Sequence, residues 1–225
     1  MTEHTTPADS QEFWAYYEAH AAPRLDLREH TFRKVFSYLD TLPAPITIVE
    51  TGCVRVADNW GGDGQSTILF DKYVTSRGHG SKVYSVDLNS DNVTTCRSLV
   101  SANVEVTVAD SVAYLDTLTR QLLERRTRVS LFYLDSFDLD LTYWFPSACH
   151  HLKELVAAWR SIDKQTLVVV DDCPLSAHLV INKEGKLVSA MQPIVGGKGR
   201  LVAEFAQQVG LKPLFASYQA GWVGF

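Results

Sequence analysis

Ile46 to Thr67 reads I-T-I-V-E-T-G-C-V-R-V-A-D-N-W-G-G-D-G-Q-S-T, and this stretch decides the fold. A β-branched apolar run ends in Glu50, and Gly52 follows two residues later. A loop containing Gly61, Gly62, Asp63 and Gly64 then leads to Ser66 and Thr67, which open an apolar-periodic segment. A buried strand, a glycine turn and a helix start form the first unit of a nucleotide-binding α/β sheet. Glycine lets a ligand approach the backbone closely, and a helix start offers N–H groups without intrahelical partners. The spacing is neither G-x-G-x-x-G nor a P-loop, so the glycines by themselves name no ligand.

Downstream, strands and helices alternate. A helix carrying Phe70, Tyr73 and Val74 precedes the strand Lys82–Val86, which runs into Asp87. A helix from Asp91 leads to the strand Val104–Val108 and the pair Asp110-Ser111. Leu115, Leu118 and Leu122 mark the next helix, followed by the strand Val129–Leu134 and Asp135. Ser147 opens a helix with Leu152, Leu155, Val156 and Trp159 on one face, and Thr166–Val170 ends in Asp171-Asp172. Continuous apolar strands alternating with helices predict a parallel sheet covered on both faces. Each strand ends at, or just before, an acid: Glu50, Asp87, Asp110, Asp135 and Asp171. Ligands of open α/β sheets bind at those strand ends, and acids crowded there need hydroxyls, amides or cations to neutralise them.

Upstream, Asp9-Ser10-Gln11-Glu12 has the form of a capping box ahead of Phe13, Tyr16 and Tyr17. A second helix is predicted from Arg28 to Thr41, with Phe32, Val35, Phe36 and Leu39 on one face, ended by Pro43 and Pro45. Residues 1–44 therefore form an N-terminal helical extension, whose aromatic face packs on the sheet or on a second copy, leaving a homo-oligomer open. Residues 45–225 form one domain. At its end, Leu179–Ile181 and Leu187–Ser189 flank a hairpin turn, Gly196-Gly197-Lys198-Gly199-Arg200 leads into a helix, and Pro213–Ser217 and Gly221–Phe225 give two last strands.

Composition excludes some classes. A formal charge of -5 over 225 residues argues against a nucleic-acid surface. No segment has the roughly 20 apolar residues of a membrane helix. The polar start is unlike a signal peptide, and the four scattered cysteines show neither C-x-x-C nor zinc spacing. Reduced thiols in a cytoplasmic protein are the expectation.

Over Pro45 to Phe225 the chain resembles class I S-adenosylmethionine (SAM)-dependent methyltransferases. V-E-T-G-C (49–53), V-D (86–87), A-D-S (109–111), Y-L-D (133–135) and V-V-V-D-D (168–172) carry the resemblance. It implies a Rossmann-like, seven-stranded, mostly parallel sheet with an antiparallel last strand. It also implies that Gly52 lets SAM lie over the turn and that Asp87 holds the ribose hydroxyls. Asp110, with Ser111 beside it, would meet the adenine, and Glu50 would orient the loop or meet the amino-acid end. Val54 to Asp63 depart from the compact first motif as an insertion containing Trp60, which could cover the ligand or anchor the loop. Gly64 and Ser66 are therefore further cofactor-binding candidates.

Asp135, Asp171 and Asp172 are similar to the metal site of divalent-cation-dependent O-methyltransferases, which implies Mg²⁺ and a hydroxyl-bearing small molecule as acceptor. Three carboxylates suit such a hard ion. His150 is the candidate general base, and His178 and Lys198 lie in a segment that could close over the substrate. Trp14, Tyr16, Trp144 and Trp222 would suit a sugar or an aromatic acceptor alike. Three other functions stay open: metal-independent O- or N-methyl transfer on the same fold, a nicotinamide-dependent oxidoreductase, and a non-catalytic nucleotide-binding module.

Overall fold

The computed structural model describes residues 8–63, 65–176, 179–189 and 194–225. Gly64 and His178 lie outside the described residues. The elements in chain order begin with α1 (Gln11–Tyr16), α2 (Glu29–Asp40), β1 (Thr47–Thr51), α3 (Trp60–Asp63) and α4 (Ser66–Arg77). Then come β2 (Lys82–Asp87), α5 (Ser90–Leu99), β3 (Val104–Val108), α6 (Ser111–Glu124), β4 (Leu131–Leu134), α7 (Trp144–Ala158) and β5 (Leu167–Val170). The short strands β6 (Leu175–Ser176), β7 (Leu179–Ile181), β8 (Leu187–Ser189) and β9 (Ile194–Val195) precede α8 (Arg200–Gln208), β10 (Phe215–Ala216) and β11 (Ala220–Val223).

Seven strands make one sheet in the order β3-β2-β1-β4-β5-β11-β10. The five from β3 to β5 are parallel, and β11 runs antiparallel to β5 and to β10. This is the predicted class I methyltransferase topology, a Rossmann-like sheet with an antiparallel last strand. The chain leaves β1 for β2 on one side and returns to β4 on the other, so the topological switch point lies between β1 and β4.

Alternation along the strands divides the core. Ile48, Val83, Leu131, Tyr133 and Val169 face α1, α2, α4 and α5, while Val49, Phe132, Leu134, Val168 and Val170 face α6, α7 and α8. The N-terminal helices pack within this core. Phe32 stacks on Tyr133 at 5.8 Å between ring centroids, and Phe13 meets Phe36 at 4.4 Å and Tyr73 at 5.0 Å. The aromatic face offered to the sheet or to a second copy is thus covered by this chain's own sheet and α4.

Boundaries differ from expectation in small ways, each with a local cause. Ser10 is the N-cap of α1 but makes no side-chain cap, so the capping box does not form. The helix after β4 starts at Trp144, ahead of Ser147, because Asp140 accepts from the N–H groups of Thr142 and Tyr143 and turns the chain early. The predicted hairpin is present, but β7 and β8 pair only with each other, apart from the main sheet. No helix among the described residues is long and apolar enough to cross a membrane.

Candidate active site at the strand ends

Glu50 is a fully buried polar anchor of β1. Its carboxylate accepts from Ser66 Oγ at 2.6 Å, Thr67 Oγ1 at 2.7 Å and Ser85 Oγ at 2.7 Å. Glu50 therefore clamps the first turn of α4 to β1 and β2, and Ser66 reaches the site as part of that clamp. Burial pushes the Glu50 carboxyl up to about 7 against the pull of its three hydroxyl partners. A raised folded pKa means that the stability this group contributes is complete below about pH 4.5 and is lost as pH rises through 7. The swing is at most about 3 kcal/mol. Glu50→Gln cannot ionise, so urea unfolding at pH 5 and pH 8 should show the difference from wild type moving in the variant's favour by about 1–3 kcal/mol. A constant difference would mean that the three hydroxyls fully compensate the charge.

Gly52 turns the chain out of β1 with φ +79°. A Cβ there would lie 2.5 Å from the Asp135 carbonyl oxygen. Only glycine lets the ends of β1 and β4 meet at the switch point. Two cavities open from this turn. One, of about 110 Å³, is lined by Gly52, Val86, Asp87, Leu88, Asp110, Ser111, Ser136, Phe137 and His150. The other, of about 180 Å³, is lined by Gly52, Asp87 and Ser136 again, with Arg28, Cys53, Arg55, Gly62, Ser66, Asn92, Asp135, Asp138, Asp172 and Lys198. Their shared residues make them two ends of one crevice, with Asp87 at the waist.

The smaller end has an apolar rim, from Leu88 and Phe137, and a polar edge. Asp110 caps α6 by accepting from the Ala113 N–H at 2.9 Å, and Ser111 Oγ lies 2.9 Å from His150 Nε2. His150 Nε2 is also 3.5 Å from Glu154, a fully buried carboxylate that accepts from Ser136 Oγ at 2.6 Å and Thr51 Oγ1 at 3.2 Å. The structure thus places His150, the expected base, beside Asp110 and Ser111 and not in the lining shared by Asp135 and Asp172. Its neighbour His151 is buried, with Nδ1 2.7 Å from the Ser147 carbonyl oxygen. At the waist, Asp87 accepts from the Asn89 N–H at 2.7 Å and from Asn92 Nδ2.

The larger end is ionic. Asp171 Oδ2 accepts from Arg28 Nε at 2.8 Å and Tyr133 Oη at 2.7 Å, and its Oδ1 accepts from the Asp172 N–H at 2.7 Å. Asp172 pairs with Arg28 at 3.1 Å and with Lys198 at 3.0 Å. Lys198 Nζ also donates to Asp135 Oδ1. Both cations are buried, and Arg28 lies over the Tyr218 ring at 4.6 Å. Burial opposes the charge on Lys198, but Asp135 and Asp172 outweigh it and hold the ammonium above the ordinary lysine range. Three carboxylates against two cations leave one acid in excess. Burial pushes Asp135 up to about 8, with Lys198 pulling it down and Asp171 and Asp172 adding to the rise.

This donor set, as it stands, does not fit the metal expected at Asp135, Asp171 and Asp172. Every one of the three carboxylates is engaged by a protein cation or by other donors, so a divalent ion would have to displace Lys198 or Arg28 or sit against their charge. Among the described residues no group of three or more His, Cys, Asp or Glu side chains is arranged to hold a metal. Mg²⁺ does not fit these residues as they stand.

The insertion is anchored as well. Trp60 is buried, donates to Asp58 at 2.9 Å and lies under Arg24 at 4.9 Å, so it fixes the loop and does not line the crevice. Asp138 pairs with Arg55 at 3.1 Å across the crevice mouth. Cys53 is buried as a small filler. Trp222 is buried in β11, Trp14 donates to Asp40 at 2.7 Å, and neither they nor Tyr16 nor Trp144 line the crevice. Sequence reasoning missed Arg28, Ser136 and Glu154. Arg28 sits in an ordinary amphipathic segment, and the partner that gives it meaning is 143 positions away.

Strand order and direction define an α/β fold with class I methyltransferase topology. No protein-family model matches the chain, and no curated protein matches it in sequence. Among solved structures, one described as a complex of DhpI with SAH matches at 11% identity and a TM-score of 0.43, covering 96% of each chain. A DUF574 family protein from Streptomyces avermitilis matches at 13% identity and a TM-score of 0.39, over 74% of this chain and 60% of that one. The fold assignment rests on strand order and direction.

Proposed function

We propose that this protein is a SAM-dependent methyltransferase that acts on a hydroxyl-bearing small molecule without a metal ion. The crevice supports this best: Asp87 at its waist, Asp110 and Ser111 at an apolar-rimmed end, and an acid-rich end beyond Gly52. Bound SAM supplies a methyl group on a positively charged sulfur. In this reading Asp87 accepts from ribose hydroxyls, and Leu88 and Phe137 enclose a planar base with Asp110, Ser111 and His150 at its edge. The larger end presents the carboxyl oxygens of Asp135 and Asp172 as acceptors that a cationic ligand can meet. Lys198 donates to Asp135 and Asp172, which leaves its third N–H as a donor for the acceptor oxygen. Alignment at near-attack distance carries much of the rate enhancement in such a site.

Asp87→Ala should lower kcat/KM for methyl transfer about 10- to 100-fold, since it removes charge-assisted hydrogen bonds worth about 1.5–3 kcal/mol. Transfer of labelled methyl from SAM to a panel of hydroxylated acceptors, with EDTA present, tests the proposal. Labelled product is expected under chelation. Product that forms only when Mg²⁺ is restored would contradict the metal-free mechanism.

A further inference from the structure

Gly197-Lys198-Gly199 is a turn built to deliver one ammonium. A Cβ on Gly197 would lie 2.2 Å from the Asp172 carbonyl oxygen, and one on Gly199 would lie 2.4 Å from Cys173 Sγ. The two glycines therefore let the turn press against the end of β5, where the Lys198 N–H donates to the Asp172 carbonyl at 3.1 Å. Pressed there, the side chain is 1% exposed and its Nζ reaches carboxylates from two adjacent strand ends, Asp135 after β4 and Asp172 after β5. A compact charge between two carboxylates from neighbouring strands is the arrangement a hard divalent ion takes. Here the charge is covalently attached. Arg28 cannot substitute for it, because its guanidinium is committed to Asp171 and the other oxygen of Asp172.

We propose that Lys198 decides against a metal between Asp135 and Asp172: its ammonium occupies the divalent-cation position there, and removing it turns that position into a divalent-cation site. The inference concerns charge at one pole of the crevice and stands whether or not methyl transfer is the reaction. Its experiment therefore needs neither SAM nor an acceptor.

Mn²⁺ alone is titrated calorimetrically into the wild-type chain, Lys198→Ala and Lys198→Gln at equal concentration, with thermal unfolding followed in EDTA and in excess Mn²⁺. Wild type should show no stoichiometric binding and the same midpoint in both buffers. Lys198→Ala should bind one Mn²⁺ at least tenfold more tightly than wild type and unfold at a higher temperature in Mn²⁺ than in EDTA. Lys198→Gln, which keeps the side-chain length, should remain folded and show a weaker gain. Adding Asp135→Asn to either variant should abolish the gain. Stoichiometric Mn²⁺ binding by wild type would overturn the proposal, as would equal indifference to Mn²⁺ in all three proteins. A failure of SAM to bind wild type would sink the proposed function and leave these outcomes readable.

Discussion

Gly52→Ala should remove nucleoside binding and destabilise the fold by about 3–5 kcal/mol, the sum of a left-handed backbone forced on alanine and an overlap at the switch point. The overlap is with backbone: the added Cβ would lie 2.5 Å from the Asp135 carbonyl oxygen and 3.0 Å from its carbon. Neither can rotate away as the end of a flexible side chain would. Relief requires β4 to move away from β1, or the turn to leave φ +79°. Either change shifts Asp135 and Ser136, which line the crevice together with Gly52. For a domain of this size a loss of 3 kcal/mol is a fall in Tm of about 6–12 °C, readable by thermal unfolding. A variant that keeps the wild-type Tm and binds SAM with unchanged affinity would show that the two strand ends do not meet as described.

The second large effect is at Arg28. Arg28→Met should cost about 3–5 kcal/mol, because it strands buried Asp171 without its cation. Asp171 would keep the Tyr133 hydroxyl and the Asp172 N–H, but these are neutral donors. Adding Asp171→Asn to Arg28→Met should recover at least about 1 kcal/mol, since a neutral amide is less costly to bury than an unpaired charge. Arg28→Lys should fall between, because one ammonium cannot reproduce the fork that serves Asp171 through Nε and Asp172 through Nη2. Denaturant unfolding of wild type, Arg28→Met, Asp171→Asn, the double variant and Arg28→Lys checks this. Strict additivity of the two substitutions would mean that the pair is not coupled.

The fold was legible because its signals are local and periodic. Apolar strands ending in acids at Glu50, Asp87, Asp110, Asp135 and Asp171 are properties of short segments, and the parallel sheet follows from their alternation with helices. Three of the strand-end acids, Asp87, Asp110 and Asp135, do gather along one crevice around Gly52. What sequence could not show is which charge each acid meets. Asp171 and Asp172 read as metal ligands because carboxylates were visible and their neutralising cations were not. Arg28 arrives from the helical extension, and Lys198 from beyond a hairpin. Neither has a periodicity or spacing that ties it to the strands. Glu50 is a similar case, for its three hydroxyl partners come from two elements and make it a clamp on α4. His150 was placed on the right helix, but only the packing of α7 against α6 brings it to Ser111.

Whether the crevice holds a sulfonium nucleoside is decided most directly by equilibrium titration of the wild-type chain with SAM and, separately, with NAD. SAM should bind with one-to-one stoichiometry, with affinity falling at least tenfold in Asp87→Ala and in Asp110→Ala, while NAD should give no saturable signal. Saturable NAD binding that depends on Asp87, with no response to SAM, would contradict the assignment of the crevice to methyl transfer.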